Sequence, residues 1–370
     1  MKIVCRDIQV AMSKSENIDV LPLSQWNIFN QSRPSLIAGP CSAESERQMI
    51  ETAERMSDMG VSVFRAGIWK PRTHPGCFEG VGTKGLEWLM EVKRRTGMSV
   101  ATEVANAMHV KECLAADVDM LWLGARTTAN PFLVQEIADA LGGADVYVMV
   151  KNPVSPDMDL WIGALERLNN AGVRRLGVVH RGFSSSEKMK YRNDPLWQYA
   201  VELRSLYPSM PFFCDPSHIA GRREYVREIS QRAMDMGLDG LMIECHCNPD
   251  TALSDAGQQL TPESLGGLLH SLILRERDSK DADYKETLGQ LRAQIDVVDE
   301  NIISLLAQRM EISRRIGDGK KKNNVAILQT SRWGEVLSEM IRKGKEKGLD
   351  EDFIRAVFNA IHDASIKAQE

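Results

Sequence analysis

Four side chains of the kinds that bind transition metals stand at comparable places in the sequence. Cys41, His218 and Glu244 each lie at or just after the end of a short apolar run, and Asp255 lies in the loop beyond Glu244. A thiolate, an imidazole and two carboxylates are a suitable ligand set for a divalent Mn, Fe, Co or Zn ion. The sequence therefore predicts a metal site formed by these four residues.

Five basic side chains, called the five cations below, also follow apolar runs. They are Arg65, Lys70, Arg126, Lys151 and Arg181. Positive charges that converge on one cleft repel each other unless an anionic ligand neutralises them. The set predicts a phosphorylated small-molecule substrate. The net charge of -5, spread along the chain, argues against nucleic acid or a membrane surface as a partner.

The elements that position these residues are eight apolar, β-branched runs. They begin at residues 35, 61, 99, 120, 147, 176, 212 and 240, and amphipathic helical stretches separate them. This alternation predicts parallel strands with crossover helices, and eight such units predict an α/β fold of the (β/α)8 TIM-barrel type. Active sites of such barrels lie at the C-terminal ends of the strands. Closure makes the first, seventh and eighth strands neighbours, so Cys41, His218 and Glu244 can meet.

A local zinc site in the segment ECHCNP is a competing interpretation. Cys245, His246 and Cys247 are all of ligand type and adjacent in sequence. Side chains alternate between the two faces of a strand, however, so Glu244 and His246 are expected to point into the barrel and the two cysteines outward. The alternation favours the dispersed site over the local one.

Several long motifs in the first 275 residues resemble one enzyme family. The segments are AGPCSAES, FRAGIWKPRTHPGCFEGVGTKGLEWL, GAR, HRGFS, DPSHIAGRR and ALSDAGQQL. Together they resemble 3-deoxy-D-arabino-heptulosonate 7-phosphate (DAHP) synthase, of the subfamily related to KDO 8-phosphate synthase. The resemblance implies condensation of phosphoenolpyruvate with erythrose 4-phosphate, the first step of the shikimate pathway. The sibling reaction with arabinose 5-phosphate is disfavoured, because its loop usually has Asn and Ser where this chain has KPRT.

The same resemblance implies roles for individual residues. It assigns the four metal-type side chains as ligands and the five cations to the carboxylate and phosphate of phosphoenolpyruvate. Arg72 and Thr73 would lie near the phosphate of erythrose 4-phosphate, and Asp215 near its hydroxyls. Lys70 is the candidate to protonate the new alkoxide, and Glu103 or His246 would orient the attacking water. Departures from many relatives are Thr127 and the NP that follows Lys151.

The last ninety residues lack strand signals. Apolar residues recur at helical spacing from 288 to 316, and two shorter helices are predicted at about 330–345 and 351–369, with Asp350 as an N-cap. We therefore expect a barrel domain at 1–274, a charged linker at 275–283 and a small all-α three-helix domain at 284–370. Periodicity alone is typical of a dimerisation module.

The polar residues of the first predicted helix point to chemistry. The stretch LGQLRAQIDVVDENIISLLAQRMEISRRIGDGK resembles the all-helical chorismate mutase family, which converts chorismate to prephenate. Matching positions are Arg292, Arg309, Lys320, Arg332, Ser365 and Gln369. Departures are Gln329, where relatives often have Asp, and Trp333, where many have Glu.

The helix spacing predicts a shared site. Arg292 and Arg309 are 17 residues apart, about 25 Å along one helix, which is too far for one chorismate to bridge. Arg309 and Lys320 are 11 residues apart, about 16 Å, which two long side chains can close. Arg292 must then come from a second chain, so we expect a homodimer through the helical domain.

The combined expectation is a bifunctional enzyme in which the helical domain also mediates feedback inhibition by prephenate or chorismate. The competing hypothesis is a barrel enzyme with a non-catalytic helical sensor. The odd number of cysteines, seven, argues against a disulfide framework. No segment approaches the roughly 18 apolar residues of a membrane span, so we expect a cytoplasmic protein with no membrane partner.

Overall fold

The protein is described here from a computed structural model. The structure describes residues 18–30, 33–70, 76–185, 189–275, 280–326 and 330–369. The chain divides into two compact units, Met1–Arg277 and Asp278–Glu370. Among the described residues, no helix is both long and apolar enough to cross a membrane.

The first unit contains a closed barrel of parallel strands. Each strand pairs with the next in sequence, and β1 pairs with β8 to close the ring. The strands are β1 Ser35–Gly39, β2 Val63–Arg65, β3 Ser99–Val104, β4 Met120–Leu123, β5 Tyr147–Lys151, β6 Leu176–His180, β7 Phe212–Cys214 and β8 Gly240–Glu244. Each lies within one of the eight predicted runs, so the predicted TIM barrel is confirmed.

Helices follow the strands and cover the barrel. They are α1 Glu46–Glu54, α2 Lys84–Thr96, α3 Ala107–Ala115, α4 Ala125–Thr128, α5 Pro131–Leu141, α6 Met158–Asn170, α7 Trp197–Leu206, α8 Pro216–Ala220, α9 Arg223–Asp235 and α10 Pro262–Ser271. Six of these ten helices begin with a side-chain cap. The hydroxyl of Ser45 accepts a hydrogen bond from the Gln48 amide at 3.1 Å, and the carboxylate of Asp215 accepts one from the His218 amide at 3.0 Å.

The interior of the barrel changes character along the strands. Near the N-terminal end it is apolar, with Met120, Met149 and Phe213 in one buried cluster that also contains Trp26 and Phe29. The residue two positions further along a strand points to the same side as the first, because side chains alternate between the two faces. At that level the interior becomes charged, which places the polar groups of the barrel at its C-terminal mouth.

The second unit is all helical, as predicted. It consists of α11 Ala282–Lys322, α12 Thr330–Glu346 and α13 Glu351–Gln369. The carboxylate of Asp281 caps α11 by accepting from the Tyr284 amide at 3.1 Å. Asp350 accepts from the amides of Asp352 and Phe353 at 2.9 and 3.1 Å, so its predicted role as an N-cap is confirmed.

Candidate active site

Three of the four metal-type side chains meet at the mouth of the barrel. Ligand atoms of Cys41, Glu244 and Asp255 all lie within 4.8 Å of one another. Cys41 Sγ is 3.3 Å from Asp255 Oδ2. Cys41 follows β1 with only Pro40 between them, Glu244 ends β8, and these two strands are hydrogen-bonded neighbours. Barrel closure thus brings together residues that are about 200 positions apart in sequence.

His218 lies beside this cluster but is not one of the three. Its Nε2 is 3.8 Å from Glu244 Oε1, whereas its Nδ1 is 2.8 Å from Asp215 Oδ2. The imidazole sits on the short helix α8, whose N-cap is the same Asp215. The structure therefore places His218 at the edge of the cluster, with one ring nitrogen directed to Glu244.

Neighbouring polar side chains hold the cluster in place. Gln258 Nε2 donates to Glu244 Oε2 at 2.6 Å, and Gln259 Oε1 accepts from the Cys41 amide at 2.9 Å. Arg192 donates to Asp255 Oδ1 at 2.9 Å. Sequence reasoning missed these three residues. Two adjacent glutamines soon after a candidate ligand were the available signal for Gln258 and Gln259.

The electrostatic environment shifts the pKa of the thiol and the pKa values of the two carboxylates in opposite directions. Burial raises the pKa of Cys41 to about 12, and Glu244 adds to the shift. Burial alone would raise the pKa of Glu244 and Asp255 as well, but His218 reverses the shift in both, so each stays below its ordinary value. Arg65 assists at Glu244, and Arg192 assists at Asp255. The two carboxylates therefore stay ionised, and the thiol loses its proton less readily than an exposed cysteine does.

These residues fit a divalent transition metal. Glu244 is fully buried, and its Oε1 accepts no hydrogen bond from any residue that the structure describes. Its basic neighbours, Arg65 Nη2 at 3.4 Å and His218 Nε2 at 3.8 Å, form long ion pairs with it, and a cation between Cys41, Glu244 and Asp255 would give this oxygen a closer partner. In the described part of the chain, ligand-type groups gather only at these three residues, and the rival set at 245–247 does not form such a group.

A cavity of about 390 Å³ opens next to the cluster. Its lining is strongly polar and includes four of the five cations. The lining residues are Lys70, Cys77, Glu103, Gly124, Ala125, Arg126, Lys151, Val154, Arg181, Arg192, Asn193, His218 and Asp255. The predicted cationic pocket is thus present, and it is wide enough for a small phosphorylated ligand.

The cations have defined partners. Lys70 Nζ donates to the Cys41 carbonyl at 2.9 Å and lies 3.1 Å from Cys41 Sγ. Arg65 is buried below the cavity, 3.4 Å from Glu244 Oε1. Arg181 donates to Asn193 Oδ1 at 3.0 Å, and burial lowers the pKa of Arg181 to about 10, so it stays positive at neutral pH.

Asp215 occupies a different place from the one expected. It is fully buried behind Lys151 and His218 and does not line the cavity. Lys151 Nζ lies 2.6 Å from Asp215 Oδ2. Burial would raise the pKa of Asp215, but His218 and Lys151 hold it well below its ordinary value. Arg72 and Thr73, predicted for erythrose 4-phosphate, lie outside the described residues.

Of the two residues proposed to orient water, only Glu103 lines the cavity. A side chain at Gly124 would place its Cβ 2.0 Å from Glu103 Oε1, so the glycine leaves room for that carboxylate. His246 instead lies among buried groups: its Nδ1 accepts from the Asn248 amide at 2.9 Å and its Nε2 is 3.6 Å from Glu44 Oε2. Glu103 is therefore the better placed of the two.

A second polar cluster joins α11 and α13 in the helical unit. Arg309 donates to the Ser365 hydroxyl, and Lys320 Nζ donates to Gln369 Oε1 at 3.0 Å. Ser365 and Gln369 are one turn apart, so the two cationic groups converge although their backbones are about 16 Å apart. Gly317 allows this approach, because a Cβ there would lie 2.7 Å from the Gln369 Cα.

The remaining mutase-type residues do not join this cluster. Arg292 is exposed on the N-terminal half of α11. Arg332 on α12 is exposed and pairs with Glu335 at 3.1 Å. Trp333 stacks on His362 with ring centroids 3.9 Å apart. Gln329 lies outside the described residues.

Fold and site together define a TIM-barrel enzyme with a thiol–carboxylate cluster that fits a divalent metal and with a cationic pocket beside it. The DAHP synthetase I family model matches residues 13–277, and the chorismate mutase type II model matches residues 291–370. The chain belongs to the DAHP synthetase I family and carries a chorismate mutase type II domain. The family resemblance and the fusion of the two enzyme domains are confirmed.

Individual relatives agree with the family. Phospho-2-dehydro-3-deoxyheptonate aldolase of Thermotoga maritima is 33% identical over 238 residues, which are 64% of this chain and 68% of the relative. 2-Dehydro-3-deoxyphosphooctonate aldolase of Desulfotalea psychrophila is 31% identical over 262 residues, 64% of this chain and 88% of the relative. The crystal structure of the Thermotoga maritima DAHP synthase matches with a TM-score of 0.58 and 33% identity, covering 64% of this chain and 67% of that chain.

Proposed function

We propose that the barrel condenses phosphoenolpyruvate with erythrose 4-phosphate and water to give DAHP and phosphate. One observation carries the proposal: four of the five cations line a single cavity beside the Cys41, Glu244 and Asp255 cluster. A cavity that is both cationic and adjacent to a metal site suits two phosphorylated substrates, one of which is an aldehyde that needs activation.

The residues of the chain would share the chemistry as follows. Arg65, Arg126, Lys151 and Arg181 bind the carboxylate and phosphate of phosphoenolpyruvate and fix its C3 towards the aldehyde carbon. C3 attacks that carbon, and the aldehyde oxygen takes up the electron pair. Lys70 donates a proton to this oxygen. Water then adds to C2, and the phosphate leaves with its bridging oxygen when the C2–O bond breaks.

Cys41, Glu244, Asp255 and the adjacent His218 would hold a divalent Mn, Fe, Co or Zn ion. When bound, the ion supplies Lewis-acid polarisation of the aldehyde. Lys70 is well placed for its role, because its ammonium group is fixed against Cys41 by two contacts. Burial lowers the pKa of Lys70, but Cys41, Glu103 and Glu244 more than offset this, so it stays protonated until it donates.

The test is a measurement of phosphate release from phosphoenolpyruvate by the metal-loaded full chain, with erythrose 4-phosphate or arabinose 5-phosphate as the aldehyde. We expect release with erythrose 4-phosphate and little with the pentose. A preference for arabinose 5-phosphate would assign the sibling reaction, and the absence of release with either sugar would refute an aldol-type function.

For the helical domain we propose the rearrangement of chorismate to prephenate. The reaction is unimolecular and needs no proton transfer, so positioning and electrostatics suffice. Arg309 would bind a carboxylate, while Lys320 and Gln369 would donate to the ether oxygen as charge develops there. Ser365 and Arg332 are proposed as further binding residues. The convergence of Arg309 and Lys320 on one turn of α13 supports this proposal.

We also propose that the domain is a homodimer whose sites each take Arg292 of the partner subunit. Two observations support it. Arg292 and Arg309 lie on the one continuous helix α11, so a single chain cannot bring them to one ligand. The N-terminal half of α11 exposes Leu291, Ile295 and Val298, each more than half accessible, along one face. Such a face requires a covering partner.

The appended domain is further proposed to inhibit the barrel when it binds prephenate or chorismate. The ligand would be a downstream product of the barrel reaction, so the inhibition would be feedback. A tenfold preference of the ligand for the less active arrangement corresponds to about 1.4 kcal/mol of coupling, a modest requirement.

A further inference from the structure

Trp122 lies inside the barrel at the level where the interior becomes charged. It is the third residue of β4 and is fully buried. Trp122 belongs to the same apolar cluster as Met120, two residues earlier on the same face, and is the member of the pair that lies nearer the mouth. The indole therefore forms part of the boundary between the apolar floor of the barrel and the cationic cavity above it.

Two of the cations assigned to phosphoenolpyruvate lie over this one ring. The Arg65 guanidinium carbon is 4.7 Å from the Trp122 ring centroid, and Lys151 Nζ is 5.9 Å from it. Both distances are within the range of cation–π attraction, which is strongest for tryptophan and grows when the groups are desolvated. Arg65 and Lys151 are 1% and 5% exposed, so desolvation is nearly complete.

Each of these cations also has a carboxylate partner. Arg65 pairs with Glu244 at 3.4 Å, and Lys151 pairs with Asp215 at 2.6 Å. The two carboxylates are different, whereas the same indole lies beneath both cations. A third carboxylate in its place would attract the cations but would also repel an incoming anion. The ring face attracts both without adding negative charge to the pocket.

Arg65 keeps unused donors beside the ring. Its Nε and one of its terminal nitrogens, Nη1, are buried and donate to no acceptor among the residues that the structure describes. Buried donors of a charged group normally find an acceptor, so these are available for the oxygens of an anionic ligand. The orientation of the guanidinium plane decides where those donors point, and the ring below limits that orientation.

We propose that Trp122 is a positioning residue for phosphoenolpyruvate, because its indole face holds the Arg65 guanidinium and the Lys151 ammonium in the arrangement that receives the anion. This inference rests on the proposed function of the barrel. Trp122 acts through the two cations and has no direct part in bond making or breaking.

The decisive experiment weakens the ring face without changing its shape. Tryptophan at position 122 is replaced site-specifically by mono-, di- and trifluorinated tryptophan in the metal-loaded full chain. Fluorine withdraws charge from the ring face and leaves the indole N–H in place. We expect the dissociation constant of phosphoenolpyruvate, measured by calorimetry, to rise stepwise by about tenfold in total, equivalent to about 1.4 kcal/mol. The KM for erythrose 4-phosphate should stay within about twofold.

Conventional variants provide a second readout. Trp122→Phe keeps a weaker aromatic face and should raise the KM for phosphoenolpyruvate less than Trp122→Met, which has none. The matched control is Trp161→Met. Trp161 is equally buried, but its indole donates to the Val150 carbonyl at 3.4 Å and its ring packs edge-on to Phe212. This control should lower thermal stability and leave phosphoenolpyruvate affinity unchanged.

The outcomes separate this inference from the proposed function. If the unsubstituted chain binds phosphoenolpyruvate and the fluorinated series binds it equally well, the positioning role is wrong and the function stands. Equal losses in Trp122→Phe and Trp122→Met would also overturn the role, because the ring face would then not matter. Failure of the unsubstituted, metal-loaded chain to bind phosphoenolpyruvate would overturn the function and the inference together.

Discussion

The ammonium nitrogen of Lys70 lies 3.1 Å from the sulfur of Cys41 and 2.9 Å from the carbonyl oxygen of the same residue. A proton donor and a proposed metal ligand are therefore in contact before any substrate binds. An aldehyde oxygen bound beside Cys41 would lie within reach of Lys70, so activation and protonation of that oxygen can occur at one place. The proximity depends on the pairing of β1 with β2, which precede the two residues.

Substitution Cys41→Ala is expected to abolish metal-dependent DAHP formation while the barrel stays folded. The thiol is one of the three groups whose ligand atoms lie within 4.8 Å of one another, so its loss removes a ligand from the centre of the proposed site and weakens metal binding. We expect the activity to fall by more than roughly 100-fold, as loss of a ligand should cost more than loss of a supporting group. Metal content and thermal unfolding should be measured on the same preparation.

The control for this substitution is Cys113→Ala. Cys113 is also fully buried, but it lies on α3 in the apolar layer outside the strands. The Cys113→Ala chain should be somewhat less stable than the unsubstituted chain and should keep its metal and its activity. Normal metal content and activity in Cys41→Ala would refute the ligand assignment.

His180 is expected to make the barrel less stable in mild acid. Burial, aided by the neighbouring charge of Arg181 and opposed by Asp215, lowers the pKa of His180 to about 4. The pKa in the unfolded chain is about 6.5. Between these values the unfolded state binds more protons, so the free energy of unfolding falls as the pH falls from 6.5 to 4. The total loss is on the order of 3 kcal/mol.

The measurement compares the pH dependence of unfolding in the unsubstituted chain and in His180→Leu, both freed of metal by chelation. The variant should lose less stability between pH 7 and pH 4.5, whatever its stability at pH 7. His270→Leu, which removes an exposed histidine from α10, should behave like the unsubstituted chain. Parallel curves for His180→Leu and the unsubstituted chain would show that His180 titrates normally.

The strands could be predicted from sequence because their signal is local. A run such as YVMVK is buried on both faces of a parallel sheet, and its end at Lys151 marks the mouth of the barrel. Strand order and closure then follow from the right-handed crossover rule. For this reason the sequence could place Cys41, Lys151 and Glu244 at the mouth and Arg65 just below it, since each lies at a strand end or within two residues of one.

Residues on loops could not be placed in this way. Arg192 lies in the segment between β6 and α7 and reaches Asp255, 63 residues later, so its role depends on how two loops fold against each other. Asp255 itself has a left-handed backbone, with φ of 47°, which no local pattern indicated. Asp215 was expected at the substrate, but the cap that it forms for α8 turns it inward instead. Trp122 lies in an apolar strand, and nothing in the sequence around it indicated a role at the site.

The helical domain should show mutase activity only when two chains combine. Arg292→Ala and Arg309→Ala chains should each be nearly inactive, because each loses one carboxylate-binding group at every site. After mixing and exchange, about half of the dimers are hybrids, and each hybrid has one intact site of two. We therefore expect about a quarter of the unsubstituted activity in a chorismate-loss assay.

Two controls accompany the mixing experiment. Two separately prepared batches of Arg309→Ala, mixed in the same way, should recover nothing. Size-exclusion chromatography should show dimers for all chains. Dimeric mixtures that exchange subunits but recover no activity would refute the shared site, and absence of mutase activity in the unsubstituted chain would favour a non-catalytic sensor.

Prephenate should inhibit phosphate release by the full chain, and the inhibition should require the helical domain. Arg309 is the proposed carboxylate-binding residue of that domain, and its contact with Ser365 fixes it between α11 and α13. Arg309→Ala should therefore retain uninhibited barrel activity and lose most of the response to prephenate. A chain that ends near residue 275 should be fully insensitive to prephenate if it keeps its basal rate, because the barrel alone contains no proposed prephenate site.

Basal activity of each chain is measured first, so that loss of inhibition is not confused with loss of folding. Undiminished inhibition of the shortened chain would place the effector in the barrel, and an uninhibited full chain would remove the regulatory role.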